Sequence, residues 1–149
     1  MILAVCVDDK LGMLFNKRRQ SKDSELRKDL LSLTDKTVWV NEYTAKQFTE
    51  DEQNRLNIQE DYLDVIGTDD ICFAENLPLA DYEKKVSKLI LYRWNRIYPS
   101  DVYFPFDLAN WEPESEYEFT GSSHDKITRC IYVPKETRSS FLTFIKKMF

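Results

Sequence analysis

Apolar residues fall along this chain in short unbroken runs, at Ile2–Val7, Thr37–Asn41, Ile71–Ala74, Leu89–Trp94, Val102–Phe106 and Lys126–Val133. Runs rich in β-branched and aromatic side chains, with little polar alternation, predict strands covered on both faces. Helical patterns sit between them. Asp23-Ser24-Glu25-Leu26 opens one that continues through Leu30, Leu31 and Leu33, with Asp23 or Ser24 as its N-cap. Thr44–Thr49 predicts a short second helix. Pro78–Val86 predicts a third, with proline in its first turn. Strands alternating with helices predict an α/β fold, a largely parallel sheet with right-handed crossovers. The final two strands lie too close in sequence for a crossover, which predicts antiparallel pairing.

Residues 139–149 carry a different pattern. Phe141, Leu142, Phe144, Ile145, Met148 and Phe149 fall on one helical face, with Lys146 and Lys147 near the negative end. Three readings stay open for this amphipathic segment: a helix docked on its own core, a docking helix for a protein partner, or a membrane-surface anchor.

The chain has 149 residues, enough for one domain of residues 1–138 with that segment appended. Aromatic residues make up 13%, so a core rich in rings is expected. The net charge of -5 argues against a general nucleic-acid binder. Acidic side chains concentrate in 49–70, where Glu50, Asp51, Glu52, Glu60, Asp61, Asp64, Asp69 and Asp70 face a single Arg55. This segment is a second candidate surface for a protein partner. Cys6, Cys72 and Cys130 each lie in an apolar run, which reads as reduced core thiols and a cytoplasmic setting. The opening apolar run stops at Asp8-Asp9, too short for a membrane span or a leader.

Several constellations can carry chemistry. Arg18, Arg19, Gln20 and Ser21 precede a helix N-terminus, where guanidinium groups and free N–H groups suit a small anionic ligand; the alternatives are a solvated basic loop, or Arg18 pairing with the acidic 49–70 segment. Arg93-Trp94-Asn95-Arg96 follow a strand whose end belongs at the carboxyl edge of the sheet, where ligands of open α/β sheets bind. There an arginine beside a tryptophan can clamp an anionic aromatic ligand, or Trp94 can simply pack on Ile97 and Tyr98. His124 is the one histidine, which excludes a multi-histidine metal site. Ser123 and His124 either orient a strand start or contact a ligand.

The order of elements from Leu89 onward resembles the dihydrofolate reductase family. An apolar strand precedes Asp101-Val102-Tyr103-Phe104-Pro105, then Trp111, then a final strand opening at Ser122-Ser123-His124. The resemblance implies that family's mixed, mostly parallel sheet with flanking helices and an antiparallel C-terminal strand pair, here with an extra C-terminal helix. Ile2–Val7 and Lys10-Leu11-Gly12-Met13 then resemble the opening strand and the start of the mobile active-site loop. Glu25, just before Leu26, takes the place of the catalytic carboxylate, to be read as a buried proton donor or as a first-turn helix residue.

The departures weigh against the family's cofactor. Where the family has Gly-Arg-x-Thr, this chain has Asn41-Glu42-Tyr43-Thr44, keeping the threonine and placing a carboxylate where a phosphate-binding arginine is expected. Glu75-Asn76 stand where the family needs a Gly-Gly pair, and Tyr92 replaces the pocket threonine. The expectation is therefore a degenerate dihydrofolate-reductase-like protein that binds a ligand or a protein and does without NADPH. The alternative is a small-molecule reductase with Glu25 as proton donor and an altered nucleotide site.

Overall fold

In the computed structural model, described over residues 1–135, the chain folds as a mixed α/β protein. The expected helix over 139–149 lies outside the described residues. The strands are β1 (Ile2–Val7), β2 (Gly12–Phe15), β3 (Arg18–Arg19), β4 (Val38–Val40), β5 (Leu56–Ile58), β6 (Ile71–Phe73), β7 (Lys88–Arg93), β8 (Val102–Tyr103), β9 (Trp111–Phe119) and β10 (Ile127–Pro134); the α-helices are α1 (Ser24–Ser32) and α2 (Glu42–Ala45). Seven strands form one sheet in the order β5-β4-β6-β1-β7-β10-β9, and β3-β2-β8 form a small second sheet.

The main sheet is parallel from β5 to β7, and β10 runs antiparallel to both β7 and β9. Successive side chains of a strand point to opposite faces. Leu3, Val5 and Val7 of β1 therefore enter one core with Leu89, Leu91, Phe104, Phe106 and Trp111, while Ala4 enters another with Leu26, Leu30, Phe73, Ile90 and Tyr92. Burial on both faces is why these strands read as unbroken apolar runs. The face with Leu26 and Leu30 is covered by α1, which begins as the sequence predicts: Asp23 accepts a hydrogen bond from the Leu26 N–H at 2.9 Å.

The structure corrects several boundaries. The segment Val102–Phe106 is not the antiparallel partner of the closing strand. Only Val102–Tyr103 is extended, and it pairs with β2, while Phe104 and Phe106 turn into the core. The partner is β9, WEPESEYEF, which the apolar pattern does not predict because most of its side chains are exposed. It is an edge strand, and its glutamates and Pro113 suit an edge that must not recruit further strands. The second helix starts earlier than expected, with Asn41 as its cap, and the segment after Pro78 forms a 3₁₀ turn, Ala80–Lys85. The loop after β1 is a tight hairpin, β2–β3, turned by Asn16 and Lys17 with φ of 51° and 63°. Positive φ at both central residues is the geometry that matches strand twist in two-residue hairpins.

The acidic segment 49–70 is partly engaged within the fold. Glu52 pairs with Arg27 at 3.0 Å, Glu60 accepts from the Glu42 N–H at 2.8 Å, Asp64 accepts from the Tyr82 hydroxyl at 2.8 Å, and Asp70 lies 3.6 Å from Lys36. No disulfide joins Cys6, Cys72 and Cys130, which are free thiols. Among the described residues no helix is long and apolar enough to cross a membrane.

Candidate functional site at the carboxyl edge of the sheet

Parallel strands bring their carboxyl ends to one edge, so the residues just after β1, β4, β6 and β7 meet there. These are Asp8, Asn41, Glu75 and Trp94. Asp8 is fully buried and anchors the edge. Its Oδ1 accepts from the N–H groups of Lys10 (2.9 Å) and Gly12 (2.7 Å), and its Oδ2 from the Tyr98 N–H (3.0 Å). The Gln20 amide adds a bond at 3.3 Å. Burial pushes its pKa up, but the bonds from the Tyr98, Gly12 and Lys10 backbone outweigh that and hold it below the usual carboxylate value. Gly12 is required for the approach, since a Cβ there would lie 2.1 Å from Ser100 Oγ.

The two adjacent arginines have different roles. Arg19 points into the crevice beside β6 and binds Glu75 in a two-pronged ion pair, Nε to Oε2 at 2.8 Å and Nη2 to Oε1 at 3.0 Å. It also donates to the Tyr43 carbonyl at 2.9 Å and lies over the Tyr43 ring. The Asn41 amide donates to Asn76 Oδ1 at 2.7 Å, closing the neighbouring gap. The first N–H groups of α2 are also taken, that of Glu42 by Glu60 and that of Thr44 by Asn41. Thr44 itself is fully buried, its hydroxyl without a partner among the described residues.

Arg18 is exposed, and its side chain has no ion-pair or hydrogen-bond partner among the described residues, those of the acidic 49–70 segment included. It stands at a cavity of about 550 Å³ lined by Phe15, Asn16, Arg18, Arg19, Gln20, Tyr98 and Pro99. The amide of Gln20 donates to Ser100 Oγ at 2.9 Å, while its Oε1 is buried without a partner.

Beside this cavity runs a hydrogen-bonded chain. Ser123 donates both its N–H (2.6 Å) and its hydroxyl (2.7 Å) to Asp23 Oδ2. With that hydroxyl proton committed, the neutral imidazole of His124 donates from Nδ1 to Ser123 Oγ (2.6 Å), and its Nε2 accepts from the Tyr98 hydroxyl (2.5 Å). Trp94 stacks on the His124 ring with centroids 4.6 Å apart. Burial lowers the His124 pKa, Asp23 opposes this, and Arg96 adds to it, which favours the neutral ring. In this order the serine oxygen lies between carboxylate and imidazole, unlike a hydrolase triad, where imidazole lies between the other two. Its capacity is to orient the Tyr98 ring at the cavity wall.

The remaining expected residues are dispersed. Ser21 reaches Ser123 weakly, at 3.4 Å. Arg93 turns away to the Tyr132 hydroxyl (3.1 Å), and Arg96 lies 5.8 Å from the Tyr98 ring centre. Trp94 stacks on His124 and belongs to the core cluster against which Tyr98 packs, as expected, while Ile97 is exposed. Glu25 is not a buried carboxylate: it is half-exposed on the surface of α1 and pairs with Lys28 at 3.2 Å. One helical turn later, Asp29 takes the inward position, accepting from Tyr92 (2.6 Å) and pairing with Arg129 (2.6 Å). Tyr92 is thereby held fully buried between α1 and the sheet. Asp8, Tyr98 and Asp29 were not singled out from sequence. Asp8 carries a signal in retrospect, as the first carboxylate after a buried parallel strand. Among the described residues no cluster of His, Cys, Asp and Glu is arranged to hold a metal ion.

The chain matches no family model, and no curated protein matches it.

Proposed function

We propose that this protein is a ligand-binding member of a dihydrofolate-reductase-like lineage, taking a small organic anion at the Arg18 cavity and making no use of NADPH. The order of elements supports the kinship. An apolar β7 precedes Asp101–Pro105, Trp111 follows, and the closing strand comes after Ser122–His124. Support for the loss of NADPH comes from the crevice beside β6, where the Arg19–Glu75 pair and the Asn41–Asn76 bond fill the space a phosphate chain needs. At the α2 N-terminus the Glu42 and Thr44 N–H groups are already bonded to Glu60 and Asn41, which leaves fewer donors for an anion.

One observation carries the reading: of two arginines adjacent in β3, Arg19 is neutralised by Glu75 while Arg18 keeps an unpaired charge at an open cavity. Its volume of about 550 Å³ is within the range of small-molecule sites. Phe15 and Tyr98 provide ring surfaces, and Gln20 a polar wall. A compact ligand with an aromatic body and one carboxylate or phosphate fits this chemistry.

Thermal unfolding with benzoate, phenyl phosphate and NADPH tests it. A ligand at about a hundred times its Kd adds about 2.7 kcal/mol, or several degrees in Tm for a chain of this length. The expected result is a shift with one of the small anions, lost in Arg18→Ala, and none with NADPH. An unchanged shift in Arg18→Ala, or no shift with any small anion, overturns the assignment.

A further inference from the structure

The chain of hydrogen bonds through Asp23, Ser123 and His124 ends on Tyr98, a residue that also lines the Arg18 cavity. With the imidazole neutral, each hydrogen bond in the chain runs one way. Ser123 donates to Asp23 at 2.7 Å, His124 Nδ1–H to Ser123 Oγ at 2.6 Å, and the Tyr98 hydroxyl to His124 Nε2 at 2.5 Å. Tyr98 thus gives its one hydroxyl proton to His124, and its oxygen presents only lone pairs, which repel an anion. A proton added at Nε2 reverses this last bond and no other. Both ring N–H groups then donate, one to Ser123 and one to Tyr98, and the tyrosine proton turns to another acceptor. Among the described residues, three charged groups act on the ring. Asp23, behind Ser123, and Asp125, next in the chain, favour the added proton, while Arg96 on the loop after β7 opposes it. The face of Trp94, stacked on the imidazole at 4.6 Å, suits a cation as well as a neutral ring.

We propose that His124 is a positioning residue that controls anion binding at the Arg18 cavity through Tyr98. Protonated His124 makes the Tyr98 hydroxyl a donor toward the bound anion, and neutral His124 withholds that donor. This rests on the Arg18 cavity being the ligand site. The anion is then held by the Arg18 guanidinium and by a phenol whose hydrogen bond the imidazolium strengthens. The imidazolium also brings a positive charge behind the Tyr98 ring. Arg19 takes no part, because Glu75 neutralises it. Asp8, whose carboxyl is held below its usual value, keeps its charge over the range in which a histidine titrates. Binding and protonation are linked, so the factor by which acid raises affinity is the factor by which the anion favours the protonated ring. One charge-assisted bond gained corresponds to about tenfold in affinity, or about one pH unit in the His124 pKa.

Calorimetric titration of the full chain with benzoate, between about pH 5 and pH 7.5 at fixed salt, tests the proposal, because benzoate stays ionised while histidine titrates. The expected result is a Kd about tenfold lower at the acid end in wild type, and little change with pH in Tyr98→Phe or in His124→Gln, which cannot titrate. Arg18→Ala should weaken binding at every pH. A second readout needs no variant. His124 is the one histidine of the chain, so its ring-proton resonances give its pKa directly, and saturating benzoate should raise that pKa by about one pH unit. Binding that Arg18→Ala weakens but that does not change with pH overturns the control by His124 and leaves the site standing. A pH dependence that persists in Tyr98→Phe overturns it too, since another group then titrates. Should Tyr98→Phe lack a cooperative melt, the wild-type resonances decide, and a His124 pKa that benzoate leaves unchanged overturns the proposal. Absence of benzoate binding at every pH overturns the site and the control together.

Discussion

Asp23 joins the start of α1 to the Ser122–His124 segment, and its removal should cost stability in a pH-dependent way. One carboxylate oxygen caps Leu26 N–H at 2.9 Å, and the other accepts from the Ser123 N–H and hydroxyl at 2.6 and 2.7 Å. The side chain is nearly fully buried, which by itself raises its pKa. The bonds from Ser123, Leu26 and Ser122 override this and hold it at about 2, against an ordinary 3.8. A folded-state pKa below the unfolded one contributes stability that is present above the unfolded value and lost as pH falls toward the folded one. The size of the depression gives about 2 kcal/mol for the charge-dependent part. Asp23→Asn keeps the shape but loses that part, so at pH 7 it should unfold about 2 kcal/mol more easily, with a further cost for its imperfect acceptor geometry. Between about pH 5 and pH 2 the difference from wild type should shrink by the same amount. Urea denaturation at pH 7, 5, 4 and 3, at fixed salt, measures this. A difference that is constant across that range, or below about 0.5 kcal/mol at pH 7, refutes the reasoning.

Three further outcomes follow from the same geometry. Lys17 sits at φ 63° in the β2–β3 turn, where a side chain costs about 1–2 kcal/mol and glycine's unfolded-state freedom returns part of it. Lys17→Gly should therefore raise stability by roughly 0.5 kcal/mol, read as a Tm increase of a degree or two. Glu75→Gln leaves the Arg19 guanidinium in a largely buried crevice without its counter-charge and should cost roughly 3 kcal/mol. Adding Arg19→Met should recover much of the loss in a double-mutant cycle, and strictly additive losses would count against the pair. Burial raises the Cys6 thiol and pushes that of Cys72 up to about 12, so at pH 8 neither should react with a thiol reagent until the chain is unfolded.

What the sequence carries clearly is what local physics decides. β1 and β7 are buried on both faces, so their apolar runs are continuous, and the Asp23 cap needs only the three residues after it. β9 escapes because an exposed edge strand has no apolar signature; its alternating glutamates resemble a solvated loop. The β2–β3 hairpin escapes because Lys17 takes a backbone position that glycine normally marks. At the site, Arg18 and Arg19 are identical letters, and the difference between them is made by Glu75, 56 residues away in sequence. The resemblance points to Glu25 as the inward carboxylate, but order alone does not fix which turn of α1 meets the sheet. Asp29 meets it through Tyr92 and Arg129, both distant in the chain.

Under the proposed function the crevice beside β6 is closed to a dinucleotide while the Arg18 cavity is open. Titration of the full chain with NADPH, followed by quenching of tryptophan emission and corrected for inner-filter absorption, tests this directly, since Trp39 lies on β4 and Trp94 just after β7. The predicted result is no saturable quenching up to millimolar NADPH, in wild type and in Arg18→Ala alike. Saturable quenching at micromolar NADPH, weakened by substitution of Arg19 or Thr44, would contradict it.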